Sequence, residues 1–282
     1  MHPVDHRLKL LRRLALLSLL LLVAVTGLSA FLRHQALPAD GQAVVAVARM
    51  AHRVVASSAL LMVIAMVVLT QRMKPPPRDA RALSIALLAL ALGLALLGVF
   101  TSGARAPAVA MGNLLGGYFM LAIVARLVRP AAMPGLGPAA FGVAALLLLQ
   151  VVSGALLSTT QAGRACSDLA ECGALVHGVG WDWRALDPWR EPLVAGLVPQ
   201  AEGAPAQLLH RLGSVVVAPL LAWLGVAAFR RGRRREGIAV LVLLATQLAL
   251  GLVVGSTGLP LAPVLAHNLA TGLLLALAVR LV

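Results

Sequence analysis

Two places in an otherwise apolar chain pair a titratable ring with a fixed charge: "MAHRVV" at 50–55 and "LLHRLG" at 208–213. His52-Arg53 and His210-Arg211 lie 158 residues apart, and each pair opens a long apolar run. Asn113 in "AMGNLLGG" and His267 in "VLAHNLAT" lie 154 residues apart in similar surroundings. A polar side chain in lipid costs a few kcal/mol unless it meets a partner or a cavity. The plainest use of a lone membrane histidine is a hydrogen bond to a neighbouring helix. Two imidazoles meeting from different helices at matched depth have a second use, holding a haem with one ring on each axial face. His210 and His267 fit that chemistry. Zinc fits less well, because the membrane supplies no third or fourth nitrogen or sulfur ligand nearby. His52 has Asn113 as its counterpart, and Asn is a poor iron ligand, so a site there is at best five-coordinate. Gly213, Gly251, Gly272 and Ala266 are expected to leave room for a flat macrocycle, as are Gly112, Gly116 and Gly117 around Asn113.

The elements that position these residues follow from composition. The 282 residues are 60% hydrophobic, with mean hydropathy +0.93 and only 12% charged. About 20 apolar residues cross a bilayer as helix. Eight segments qualify, at roughly 14–31, 44–70, 82–101, 107–128, 139–158, 207–229, 237–256 and 261–280. The fold class is therefore all-α, a polytopic membrane protein. The net charge of +14 does not mark a nucleic-acid binder, because its placement follows topology. With the amino terminus inside, sixteen of the 24 lysines and arginines fall on the cytoplasmic side and five in outer loops, while Arg49, Arg53 and Arg211 sit at outer helix ends. That bias puts both termini in the cytoplasm. "RRGRRRE" at 230–236 can also touch anionic membrane lipid. The first segment has the zones of a signal peptide, but its counterpart in the fifth segment argues that it is retained.

That counterpart belongs to a repeat. "LLLLVAVTGLSAFLR" (19–33) pairs with "LLLLQVVSGALLSTT" (146–160), and "LALGLALLGVFTSG" (90–103) with "ATQLALGLVVGSTG" (245–258). Residues 1–130 and 131–282 thus read as two tandem four-helix bundles, joined by "RPAAMPGLGPAA" at 129–140 and related by an axis along the membrane normal. His52, Asn113, His210 and His267 all lie near the outer ends of inward-running helices. The long outer loop, 159–206, holds the only cysteines, Cys166 and Cys172. On the oxidising side they are expected to form a mutual disulfide. Trp181, Trp183 and Trp189 suit an interfacial segment across the bundle mouth. Gln150 and Gln247 are expected to bond across helices. His2, His6, His34 and His177, in loops or the tail, receive no role.

With "AHR", "LLHRLG", "LAHNLA", "ACSDLAEC" and the eight-helix tandem repeat, the chain resembles the haem A synthase family over nearly its whole length. The resemblance implies a membrane oxidoreductase that oxidises a ring methyl of haem O, through an alcohol, to the formyl group of haem A for terminal oxidases. It implies haem b (iron) held by His210 and His267, with His52 facing substrate haem O, and a redox-active role for the cysteine pair. Haem O synthase and a terminal oxidase are the implied partners, in a bacterial-type inner (cytoplasmic) membrane. A homo-oligomer is left open.

The chain departs from the family pattern at two positions on the substrate side. Arg49 stands where a catalytic Glu is expected, and Asn113 where the fourth-helix His is expected. Arg49 cannot act as a general base. With Arg53 it is suited to bind a haem propionate, and Arg211 to do so in the second half; the plain alternative for each is an interfacial anchor. Two other functions therefore stay open. One is a non-catalytic haem-binding member in electron transfer or oxidase assembly, which Arg49 and Asn113 favour. The other is a small-solute transporter, drawn from the repeat alone, which would purify without haem.

Overall fold

The computed structural model describes residues 3–34, 42–74, 76–77, 79–101, 106–128, 135–190, 200–257 and 259–282. Arg78, Arg105, Arg129, His2 and the first part of the connector, 129–134, lie outside the described residues. The described residues form helices and connecting turns without a strand: α1 (Pro3–His34), α2 (Gln42–Arg72), α3 (Ala80–Phe100), α4 (Pro107–Val128), α5 (Pro138–Thr160), α6 (Leu169–Val179), α7 (Gln200–Arg230), α8 (Arg234–Ser256) and α9 (Leu261–Leu281). All but α6 are long and apolar enough to cross a membrane. A helix satisfies its own backbone groups, which lipid cannot do. This is a multi-pass, all-α membrane protein.

Local sequence sets the ends. Proline opens α4 and α5, where the missing N–H would be unsatisfied anyway. Only three residues separate α7 from α8. Gly232 adopts φ 82° there, letting its N–H reach Phe229 O at 3.2 Å while Arg233 N–H reaches Ala228 O at 3.0 Å. That paired closure is a Schellman motif, and it needs a residue at ease with positive φ. Three elements differ from the sequence expectation. α1 starts eleven residues before the apolar stretch that predicts it and ends three residues beyond. α7 starts seven residues early because Glu202, Gly203 and Pro205 read as loop. α6 was not expected at all: at 11 residues it is too short to register as a span.

The helices close into two rings. α1, α2, α3 and α4 pack in cyclic order, as do α5, α7, α8 and α9. Each helix thus has the same neighbours as its repeat counterpart. α4 and α9 meet at the seam between rings, flanked by α4–α5 and α1–α9 contacts. Glycine permits the seam to close. A Cβ on Gly272 would lie 2.9 Å from the ring of Tyr118, whose hydroxyl donates to Asn268 O at 2.8 Å. At the terminus-bearing end, Glu236 binds Arg233 at 2.6 Å and Arg280 at 3.1 Å. Arg233 is buried, so the charges of "RRGRRRE" that face outward are Arg230, Arg231, Arg234 and Arg235.

Candidate functional site

The polar side chains of the second ring converge near the end that carries the disulfide loop. On α5, Gln150, Ser153 and Gly154 share one face by their i, i+3, i+4 spacing. α7 supplies Gln207, His210 and Arg211; α8 supplies Gln247 and Gly251; α9 supplies His267 and Thr271. His210 Nδ1 lies 3.0 Å from Ser153 Oγ and 3.2 Å from Gln150 Nε2, and the same Gln150 nitrogen donates to His210 O at 2.8 Å. Ser153 donates its own proton to Gln150 O at 2.8 Å. With Nδ1–H donating to Ser153, Nε2 keeps the lone pair a metal ligand requires; with Gln150 Nε2–H donating to Nδ1, the proton sits on Nε2 instead.

His267 is held differently. Gln247 Nε2, which can only donate, lies 2.9 Å from His267 Nε2 and 2.7 Å from Thr271 Oγ1. The ring proton therefore sits on Nδ1, and that nitrogen is buried without a hydrogen-bond partner. Gln247 Oε1 is buried and unpartnered too. With the Gln247 amide turned by half, Oε1 accepts from Nε2–H and Nδ1 carries a free lone pair, while the amide NH2 takes over the unpartnered position. The two rings are close enough for their charges to interact.

Each ring lies against a glycine. A Cβ on Gly154 would stand 3.0 Å from His210 Cε1, and one on Gly251 would stand 3.4 Å from His267 Cε1. This corrects the expected use of the glycines. Gly251 makes room for an imidazole, Gly213 for the Gln150 amide and Gly272 for Tyr118, rather than for the face of a macrocycle. In the first half Gly116 receives Leu94 and Gly117 receives Thr26. Gln150 and Gln247 do bond across helices.

Over this cluster sits the outer loop. Cys166 and Cys172 form the expected disulfide, with Cα atoms 5.2 Å apart. Gln207 accepts from Cys166 N–H at 3.3 Å and donates to Gly163 O and Cys166 O, each at 3.1 Å. Arg211 Nη2 donates to Cys166 O at 3.1 Å and Ser167 O at 2.9 Å. Gln207 and Arg211 are one turn apart, on either side of His210, so α7 grips the disulfide loop with the turn that carries the histidine. Arg190 pairs with Glu202 at 2.7 Å. Pro188 O accepts from Ala108 N–H at 2.7 Å, tying the far end of the loop to α4. Trp183 and Trp189 remain exposed, 70% and 72%, as interfacial anchors would be.

The first ring presents a plainer picture. His52 and Asn113 are half-buried, Arg49 and Arg53 are exposed, and none of the four has a hydrogen bond or ion pair among the described residues. Two residues passed over in the sequence prove structural. His34 Nε2 lies 3.0 Å from Ser158 Oγ, joining α1 to α5. Arg33, expected in an outer loop, is instead in the last turn of α1.

The donor set and its surroundings fit a haem: two imidazoles from different helices of one apolar bundle, one with an orphaned nitrogen, and no group of three or more His, Cys, Asp or Glu among the described residues. A comparison with protein families matches residues 28–279 to the COX15-CtaA model, described as cytochrome oxidase assembly protein. No curated protein matches the chain.

Proposed function

The chain belongs to this cytochrome oxidase assembly family, and from that membership we propose that it is a haem-containing oxidoreductase resembling haem A synthase. Its reaction would be the oxidation of a haem O methyl, through an alcohol, to the formyl of haem A. The observation that carries this reading is the His210–His267 pair, with its orphaned nitrogen and its polar supports. A haem b bound there supplies one-electron transfer. Ser153 and Gln150 orient the His210 ring. Gln247 and Thr271 hold His267, while the apolar ring of helices excludes water.

His52 is assigned to the substrate haem, with the position opposite left open by Asn113. Arg49 and Arg53, one turn apart and without an ion pair among the described residues, serve the carboxylates of that substrate, and Arg49 takes no proton. Residues 1–130 form the substrate half and 131–282 the haem b half. The outer loop faces the oxidising side of a bacterial-type cytoplasmic membrane, with both termini inside. Haem O synthase supplies the substrate and a terminal oxidase takes the product.

A second reading, a haem-binding member without hydroxylation activity, is favoured by Arg49 and Asn113. Expression in a host that makes haem O but no haem A separates the two. Extracted haems containing haem A or its alcohol precursor support the enzyme. Only haem B and haem O, with haem-loaded protein present, support the second reading.

A further inference from the structure

The seam between the rings holds polar groups that the proposed reaction does not use. At the outer end of α1, Nε and Nη2 of Arg33 are buried and make no hydrogen bond among the described residues. On α9, Nδ2 of Asn268 is buried and equally unpartnered. Tyr118 of α4 links them: its hydroxyl donates to the Asn268 carbonyl at 2.8 Å, and it lies within electrostatic reach of the Arg33 charge. α1, α4 and α9 pack against one another there. The neighbouring His34–Ser158 contact pins the end of α1 to α5, so the Arg33 side chain is not free to swing into water.

Every unsatisfied group in this cluster is a donor, and one carries a fixed positive charge. Two buried N–H groups of a guanidinium left without an acceptor are unfavourable, and the acceptor that suits the Nε–Nη2 fork best is a carboxylate taken by two parallel N–H bonds. Asn268 directly follows His267, so on a helix the two side chains point about 100° apart. One faces the ring interior and the other the seam, at the same depth. We infer that Arg33 and Asn268 form a carboxylate-binding site between the two halves, taking a propionate of the haem held at His267. This rests on the haem reading above. It makes α1 of the first half a part of the second-half site.

The test compares haem b with its dimethyl ester, in which both carboxylates are blocked, for binding to the purified full-length apoprotein. The wild-type protein is expected to bind the free acid on the order of tenfold or more tightly than the ester, the scale of a charge-assisted pair. Arg33→Gln should remove that preference while leaving the ester's affinity unchanged. Asn268→Asp gives Arg33 a carboxylate from the chain itself. That variant should melt no lower than wild type and also lose the preference, which keeps the test sound if Arg33→Gln folds poorly. Equal binding of acid and ester by wild type, or a preference that survives both substitutions, overturns the carboxylate site alone. His210→Ala and His267→Ala should abolish binding of both compounds. Binding that ignores these histidines sinks the haem reading instead. An acid preference kept in His267→Ala but lost in His52→Ala assigns the carboxylate to the other haem and overturns the site as stated.

Discussion

The two rings share helix order and neighbours, yet their outer ends are built differently. In the second, the histidines are held by Gln150, Ser153, Gln247 and Thr271, and Gln207 and Arg211 fasten a disulfide loop above them. The repeat puts Val23, Thr26, Leu92, Gly117, Arg49 and Arg53 at the corresponding first-half positions. Four of the six change to residues that cannot make the same bonds. Of the others, Thr26 donates to the carbonyls of Leu22 and Val23 within its own helix rather than to an imidazole. The duplicated backbone thus serves two uses. One half fixes its rings by hydrogen bonds, which in the proposed function gives a permanent ligand its orientation. The other leaves one histidine and two arginines without a hydrogen bond or ion pair among the described residues, which in the proposed function suits a group that arrives and departs.

The largest effect should come from the histidines. His210→Ala or His267→Ala is expected to yield purified protein without the second-half haem, while His52→Ala retains it. Haem per chain, from the pyridine haemochrome spectrum, reads this directly. Equal loss from all three variants would mean that the halves share one site, and the contrast drawn above would fail. The converse experiment sharpens the contrast. Asn113→His supplies the ligand the first ring lacks, and bound haem should rise from one per chain to two. If it stays at one, the first ring differs by more than its missing histidine.

The supports should matter less than the ligands, but asymmetrically. Gln247→Leu, which copies Leu92 into the second half, leaves His267 without its Nε2 partner. Loss of such a partner weakens metal retention by ~10–100-fold. Leu92→Gln, on a helix face that is 45% exposed, should leave haem content unchanged. Haem off-rates measured by transfer to an apo-globin would separate the two.

Much of this contrast was legible in the amino-acid sequence. Apolar runs of about 20 residues admit one structure in lipid, so the eight spans and their repeat could be read directly. His210 and His267 stood out because polar residues there are costly and recur at a fixed separation. The supports were harder to see. Ser153 and Thr271 are ordinary hydroxyls whose role depends on which residue of another helix faces them. Arg211 reads as a hand for a propionate, yet its visible partners are the backbone carbonyls of Cys166 and Ser167, which no side-chain pattern announces. The glycines marked close approach correctly, but what approaches is the protein's own ring or amide. Arg33 was counted as a loop charge because its helix runs farther than the apolar stretch.

The smallest expected effect concerns the cap over the second ring. α6 begins with Asp168 accepting from Glu171 N–H at 2.8 Å, while the Glu171 carboxylate takes Ser167 N–H at 2.6 Å. The Glu171 N–H holds the Asp168 carboxyl below its usual range, and the Ser167 hydroxyl does the same for Glu171. A carboxyl whose pKa is depressed on folding stabilises the folded form above its ordinary range, near ~4, and loses that contribution as pH falls through the depressed value. Both groups are fully exposed, so water and salt screen them and the effect should be local. Protection of the amides over residues 167–179, corrected for the intrinsic pH dependence of exchange, should therefore fall on acidification below ~pH 4, while α2 and α4 show no matching change. Asp168→Asn and Glu171→Gln should flatten that pH profile without altering haem content. If peptides from both rings loosen together, the cap is not a separate device of the second half, and acid acts on the bundle as a whole.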